Sequence, residues 1–351
     1  MSAAGGWSAY AAMEQSTGRV LYGSNLHMRL PMASTTKIMT AITVIESGGL
    51  EKKIKVPRAA VGVEGSSIYL KENEEIKTED LLYGLMLMSG NDSAAALAIA
   101  TSGSVEKFAE LMNKKAAAIG AKNTHFVNPH GLHHAEHYTT AYDLALISAY
   151  ALKNPTFKKI VASEKHIIPD TSSGAGARYL HNKNKMLHMY EGADGVKTGF
   201  TKNSGRCLVS SATKSGMQVV VVVLNCPDMW NDSMSLLNRS FENYKMVKLV
   251  GQEQGITVRV ENGTKNSVTA APYDFYYPIS ENERVSYEYR TTNLRAPVKK
   301  GENAGKIIVS IDNRLLFEQK MVTIDSVKEK GVLDHFKDFF GLDEKQAKNT
   351  A

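Results

Sequence analysis

The 351-residue sequence has few of the features that define specialised classes of protein chain. It contains two cysteines, two tryptophans and nine prolines, so it is neither a disulfide scaffold nor a collagen-like chain. No apolar run approaches the roughly 18 residues that a membrane-spanning helix needs. No block of lysine and arginine is present, so the chain lacks the usual signature of a nucleic-acid-binding protein. An ordinary globular composition remains.

The net charge of +6 is small and unevenly distributed along the chain. Residues 251–351 carry 15 basic and 15 acidic side chains, so the whole positive excess lies before residue 251. A modest basic bias in that part favours an anionic substrate or an anionic wall polymer. At about 100–200 residues per domain, the length favours two domains.

The two cysteines flank a predicted β-hairpin over residues 206–225. Cys207 lies near its start, and Cys226 directly follows it. A turn at residues 214–216 pairs Cys207 with residues near 222, which leaves Cys226 out of register with it. We therefore predict two buried free thiols and no disulfide.

Hydrophobic patterning divides the chain into two domains and a tail. Residues 1–250 have strands at both ends, helices between them and a last helix over residues 236–250, which predicts an α/β (α+β) domain with an antiparallel sheet flanked by helices. Short strands separated by Gly, Pro, Asn and Glu predict a small all-β sandwich over residues 251–326. The apolar residues of the tail, residues 327–351, share one helical face. The tail is either an amphipathic interfacial helix or a helix packed on its own domain.

Three short motifs carry residues suited to catalysis, in the order Ser34-Thr35-Thr36-Lys37, Ser89-Gly90-Asn91 and Lys197-Thr198-Gly199. Ser34 and Lys37 are three residues apart at a helix start, so their side chains share a face. A serine hydroxyl is a poor nucleophile until a neighbouring base removes its proton. Lysine acts as that base only when it is neutral. Burial and a second cation, for which Lys197 is the candidate, lower its pKa.

The second motif lies in a predicted break between helices. There the hydroxyl of Ser89 can relay a proton to a leaving amine. The amide of Asn91 can orient Lys37 or bind an amide of the substrate.

The third motif lies on a predicted edge strand. Gly199 lets a substrate backbone approach and pair with that strand. Lys197 and Thr198 are then placed to bind a carboxylate. The N–H of Phe200 can complete an oxyanion hole with the N–H of Ser34.

With these motifs the chain resembles the serine-type D-Ala-D-Ala carboxypeptidases, the low-molecular-mass penicillin-binding proteins of peptidase family S11. The resemblance extends to residues 16–22, 128–132 and 138–143. It covers residues 7–250 well and the following β-rich part more loosely. It implies a transpeptidase/β-lactamase-like domain followed by a β-sandwich. It also implies an exported protein at the extracytoplasmic face of the bacterial membrane or in the wall, with an amphipathic C-terminal anchor.

The resemblance further implies that Ser34 is the nucleophile and Lys37 the base in removal of the terminal D-Ala from peptidoglycan stem pentapeptides. β-Lactams are then covalent inhibitors, and no cofactor is needed. One position departs from the family pattern, because relatives have an arginine where our alignment places Met229. Carboxylate recognition then depends on Lys197 and Thr198, unless another cation substitutes.

A histidine-rich stretch, residues 125–137, suggests a zinc site as an alternative. His133 and His137 have the spacing of ligands on a helix. Pro129 and Gly131 indicate a loop, however, and no glutamate completes an H-E-x-x-H arrangement. We predict no metal.

Two other functions compete with the carboxypeptidase. A β-lactamase holds a hydrolytic water with a carboxylate, and no E-x-x-x-N-like segment occurs at a suitable place between Asn91 and Lys197. A penicillin-recognising sensor or wall-binding protein with weak turnover is the other alternative. Met229 is the residue that supports it.

Overall fold

The computed structural model describes residues 7–170, 174 and 176–340, with side chains up to residue 336. The chain divides into two compact units, Met1–Tyr244 and Lys245–Ala351. This division comes shortly before the domain boundary predicted at residue 250. None of the helices in the described ranges has the length and apolar character needed to cross a membrane.

The first unit alternates strands and helices. Its strands are β1 (Ala9–Glu14), β2 (Val20–Ser24), β3 (Lys53–Lys55), β4 (Glu75–Lys77), β5 (Lys165–Ile168), β6 (Arg178–His181), β7 (Ala193–Thr201), β8 (Gly205–Lys214) and β9 (Met217–Leu224). Its helices are α1 (Lys37–Ser47), α2 (Thr78–Leu87), α3 (Asn91–Ser102), α4 (Val105–Ile119), α5 (Ala141–Ala151), α6 (Pro155–Ala162), α7 (Met186–Met189) and α8 (Met229–Asn243).

A five-stranded antiparallel sheet, in the order β2-β1-β9-β8-β7, organises this unit. Every residue of β9 is buried, so the sheet is covered on both faces, and a run of valines suits such a strand. One face contributes to the core shared with the helices, and α8 packs against β8 and β9. Strand β7 is the edge next to the turn that precedes α1. The predicted antiparallel sheet flanked by helices is confirmed.

The hairpin β8–β9 confirms the prediction for the cysteines. Its register pairs Lys214 with Met217 and Leu208 with Val223, so Cys207 does not face Cys226. Both thiols are free and buried.

Helix α1 is buried on nearly every side, over residues 37–45. Its apolar residues pack into the main core, and Gly48, with a φ of 79°, ends it. The helix starts at Lys37 and not at Ser34, because residues Ala33–Thr36 form a 3₁₀ turn. The active-site motif therefore joins a short tight turn to a buried helix.

The predicted helix over residues 236–250 was wrong in its position. The structure has α8 at Met229–Asn243 and a strand, β10 (Tyr244–Val250). Within the segment 244–250, exposed and less exposed residues alternate up to the last two, which are buried, as in a strand with one covered face. Its aromatic and β-branched residues favour the extended conformation.

Over its described residues, the second unit is an all-β domain followed by a helix. Beyond β10 its strands are β11 (Ile256–Glu261), β12 (Ser267–Ala271), β13 (Phe275–Ser280), β14 (Val285–Thr291), β15 (Leu294–Arg295), β16 (Asn303–Ile311) and β17 (Arg314–Thr323). A six-stranded sheet, β14-β16-β17-β12-β11-β15, and a two-stranded sheet, β10-β13, enclose one apolar core. The predicted all-β domain is confirmed.

The tail contains the helix α9 (Val332–Phe340). Val332 and Leu333 are almost fully exposed there. The rest of the predicted amphipathic segment, residues 341–351, lies outside the described residues.

Candidate active site

Ser34 lies in the 3₁₀ turn that leads into α1. In such a turn the side chains of residues i and i+3 are eclipsed, so the turn aligns Ser34 with Lys37. The Lys37 Nζ lies 3.0 Å from the Ser34 Oγ. The first motif thus forms a nucleophile–base pair at hydrogen-bond distance.

The amine of Lys37 is fully buried and held by two carbonyl oxygens. It donates to Asn91 Oδ1 at 2.7 Å and to the backbone oxygen of His130 at 2.6 Å. Burial, and then the charge of Lys197, hold the pKa of Lys37 well below its usual value. A neutral amine has two N–H groups and one lone pair. Since the carbonyl oxygens take the two N–H groups, the lone pair is left for the Ser34 hydroxyl.

The loop over residues 128–132 supports this arrangement from below. Its Pro129 oxygen accepts a hydrogen bond from Thr40 of α1 at 2.6 Å. Gly131 has a φ of +91°, and a Cβ there would lie 1.9 Å from the backbone oxygen of Ala33. The sequence predicts a histidine-bearing loop here, which is also part of the family resemblance. Its active-site contribution is the backbone oxygen of His130, which no side-chain motif can reveal.

The histidines of the same stretch have structural contacts. His137 Nδ1 accepts from the backbone N–H of Val127 at 3.0 Å, so Nε2 carries the proton and donates to Thr36 Oγ1 at 2.8 Å. Burial lowers the pKa of His137 to about 3, which keeps the ring neutral. In the described part of the chain, no three His, Cys, Asp or Glu side chains are grouped as metal ligands would be.

The second motif joins α2 to α3. Ser89 has a φ of 63°, and its side chain lines the same cleft as Ser34. Asn91 is the first residue of α3 and is nearly buried. Its Nδ2 donates to the backbone oxygen of Glu64, while its own N–H donates to Ser66 O at 2.7 Å. These bonds fix the amide so that its oxygen faces Lys37.

The third motif lies on edge strand β7, directly beside the nucleophile turn. A Cβ on Gly199 would lie 3.0 Å from the backbone nitrogen of Ser34, so a larger residue would push the strand away. Lys197 is buried and donates to the backbone oxygen of Thr198 at 3.0 Å. Burial and the charge of Lys183 lower its pKa to about 7.

A cleft of about 450 Å³ opens above these groups. Its lining includes Ser34, Ser89, Thr198, Gly199 and Phe200 from the predicted set. It also includes Met229, where the sequence predicts a departure from the family pattern, and four residues that the motifs did not predict, namely Ser66, Lys183, Arg206 and Trp230. These four lie outside the motifs, and only the fold brings them to the cleft.

An antiparallel sheet beside a buried helix, with a serine–lysine pair between them, defines a serine hydrolase of the penicillin-recognising class. Comparison with known proteins identifies the family within this class. A family model for D-alanyl-D-alanine carboxypeptidase matches residues 6–228, and one for the C-terminal domain of penicillin-binding protein 5 matches residues 244–329. The chain belongs to the D-alanyl-D-alanine carboxypeptidase family, peptidase family S11.

Two of the individual relatives match more than nine tenths of the chain, and a third matches two thirds of it. The D-alanyl-D-alanine carboxypeptidase DacF of Bacillus subtilis is 32% identical over 94% of this chain and 88% of its own length. The crystal structure of penicillin-binding protein 5 from Haemophilus influenzae is 30% identical, with a TM-score of 0.77 over 92% of this chain and 98% of that one. The Streptomyces K15 DD-transpeptidase is 33% identical, with a TM-score of 0.64, and covers 67% of this chain and 97% of its own.

Proposed function

We propose that this protein is a serine D,D-carboxypeptidase that removes the terminal D-Ala from peptidoglycan stem pentapeptides. The observation that carries the proposal is the contact between the buried Lys37 amine and the Ser34 hydroxyl. A lysine with a lowered pKa beside a serine is an activated nucleophile pair. Family membership supplies the substrate class.

In the proposed mechanism, neutral Lys37 takes the proton of Ser34 while the Oγ attacks the carbonyl carbon of the penultimate D-Ala. The N–H groups of Ser34 and Phe200 bind the oxyanion that forms. Ser89 passes a proton to the nitrogen of the departing D-Ala as the C–N bond breaks. Water then hydrolyses the ester on Ser34 and releases the shortened stem.

Substrate binding in this proposal uses edge strand β7. The stem peptide lies along the strand beside Gly199, whose lack of a side chain lets the strand pack against the turn that carries Ser34. The charge of Lys197 and the hydroxyl of Thr198 attract the terminal carboxylate. β-Lactams occupy the same cleft, and they form the same ester with Ser34 because their ring amide takes the place of the scissile peptide bond.

The test is a paired assay on the purified protein. A fluorescent penicillin should form one stable adduct, located on Ser34 by mass spectrometry, and diacetyl-Lys-D-Ala-D-Ala should release D-Ala. The variant S34A should lose both activities and keep its thermal stability, since the hydroxyl contributes little packing. Undiminished labelling of S34A would contradict the assignment of the nucleophile.

The same assay separates the competing functions. A stable adduct without D-Ala release would indicate a sensor or a wall-binding protein. Rapid loss of the adduct with release of opened penicillin would indicate a β-lactamase. Neither result is expected for a carboxypeptidase.

We also propose that the protein acts outside the cytoplasm, where peptidoglycan stems are found, with α9 in peripheral contact with the membrane. The exposed side chains of Val332 and Leu333 support this contact. The full-length protein should sediment with anionic lipid vesicles, and the variant with both residues changed to Ser should not. Equal sedimentation of the two proteins would refute the contact.

A further inference from the structure

The proposed function leaves the carboxylate of the substrate with a weak anchor. Lys197 is buried and has a pKa of about 7, so it is only partly charged at neutral pH. On the α8 side of the cleft the wall is formed by Met229 and Trp230, neither of which carries a charge. Binding of an anion there needs a cation that stays charged.

Arg206 is such a cation, and its position follows from the strand register. It is the direct cross-strand partner of Phe200, while Thr198 pairs with Leu208. Side chains two residues apart on a strand share a face, so Arg206 and Thr198 are diagonal neighbours. Such neighbours have Cα atoms about 7–8 Å apart, within reach of an arginine side chain. Arg206 and Thr198 line the same cleft.

The backbone of Arg206 is held in place on both sides. Its oxygen accepts from the N–H of Cys226 at 2.8 Å, and β8 pairs with β7 on the other side. A Cβ on Gly205 would lie 2.1 Å from the side-chain oxygen of Asn225, so the start of β8 packs closely on that segment. The strand therefore presents Arg206 from a rigid base.

Among the described residues, the guanidinium of Arg206 has no hydrogen-bond or ion-pair partner. Its side chain is exposed, and no carboxylate in the described ranges forms an ion pair with it. The acidic residues at the start of α8 are engaged elsewhere. Asp228 accepts from Asn231, and Asp232 accepts from the thiol of Cys226 at 3.0 Å. The charge of Arg206 is thus available to a ligand.

We infer that Arg206 binds the terminal carboxylate of the substrate together with Thr198, and that it determines the preference for a free C-terminus. The planar fork of a guanidinium matches the two oxygens of a carboxylate, and arginine is not deprotonated in proteins. This inference rests on the proposed function, because it places the stem peptide along β7. It does not depend on an arginine at position 229.

The test compares ligands with and without the carboxylate. The variant R206Q should lower kcat/KM for diacetyl-Lys-D-Ala-D-Ala by about 10- to 100-fold, mostly through KM, the loss expected for one charge-assisted bidentate contact. Turnover of the corresponding C-terminal amide should stay unchanged. Acylation rates with benzylpenicillin and with its methyl ester, followed by intact mass, should show the same difference.

Two matched variants complete the design. K202Q removes an exposed cation from the turn after β7. It should leave the acid-to-amide ratio of kcat/KM and the acid-to-ester ratio of acylation rates as in the wild type. R206K keeps the charge without the fork and should fall between the wild type and R206Q. Equal effects of R206Q on acid and amide, or none on either, would overturn the inference. A wild-type protein that releases no D-Ala would instead contradict the proposed function, while the penicillin pair still tests Arg206.

Discussion

The floor and the rim of the cleft each contain basic side chains, but in opposite surroundings. The floor, formed by Ser34, Lys37, Asn91 and Lys197, is largely buried, with Lys37 wholly so. The rim, formed by Phe200, Arg206 and Trp230, is more open: Phe200 is 65% exposed, Arg206 is exposed and Trp230 is half-buried. Burial lowers the pKa of both floor lysines. A buried amine therefore loses its proton more readily than an exposed lysine does, whereas an exposed guanidinium can only attract an anion.

This difference separates chemistry from recognition. Changes at Ser34, Lys37 or Asn91 in the floor should alter the rate of acylation with every ligand, because they alter the reacting pair or the contact that holds it. Changes at the rim should alter affinity for particular ligands and leave the reaction itself intact. Three predictions test the comparison, in order of decreasing effect.

The largest effect is expected for K37M, which removes the base and keeps a side chain of similar length. Acylation by penicillin should slow by about 10²- to 10⁴-fold, the contribution of a positioned general base. The measurement is the rate of adduct formation on Ser34 with the free acid and with the methyl ester. Both rates should fall together.

The matched control for this prediction is K37R, which keeps the positive charge. An arginine cannot be deprotonated in a protein, so this variant should be as slow as K37M. If K37R retained acylation within tenfold of the wild type, the amine would act through its charge, and the floor would serve recognition like the rim.

A smaller effect is expected for K183Q, because Lys183 affects the lysines of the floor through its charge. Lys183 lowers the pKa values of both Lys37 and Lys197. Activity needs Lys37 neutral and Lys197 charged, so both limbs of the pH profile of kcat/KM should move to higher pH in the variant. The alkaline limb of the wild type should lie near the pKa of about 7.

The variant K202Q is the control for the loss of one positive charge at an exposed site. Its profile should coincide with that of the wild type, since Lys202 is exposed at the turn after β7. Coincident pH profiles of K183Q and the wild type would show that the charge of Lys183 does not affect the pKa values of the floor lysines.

The smallest effect is expected for F200A at the rim. We assign a role to the backbone N–H of Phe200, and alanine keeps that group. Because the ring is 65% exposed, the free energy of unfolding should change by less than about 0.5 kcal/mol. The rate of acylation should change less than about fivefold. A loss comparable to that of K37M would mean that the rim takes part in the chemistry.

Much of the fold followed from local patterns. The predicted free thiols, the antiparallel sheet and the all-β second domain each depend on alternation and turn residues within short segments. The prediction failed at residues 236–250, where the helix ends at Asn243 and a strand begins. The apolar residues of that segment are compatible with both periodicities, and the packing of β10 against its neighbours decides between them.

The candidate site was predicted only in part. The three motifs contain the groups of the floor, because serine, lysine and asparagine at those spacings have few other uses in combination. The backbone oxygen of His130 and the side chain of Arg206 carry no local signal. Each reaches the site through a contact with a distant segment, the first with Lys37 and the second through the register of β8 with β7.

The sequence by itself determined which reactive groups are present, their order along the chain and the class of reaction they suit, since these depend on residue type and spacing. The tertiary structure decided the protonation state of those groups and the shape of the cleft. The pKa of Lys37 depends on its burial and on charges from segments far apart in the chain. Arg206 reaches the cleft only because two strands pair in one register. The pKa of Lys37 and the position of Arg206 both depend on non-local contacts, which exist only once the chain has folded.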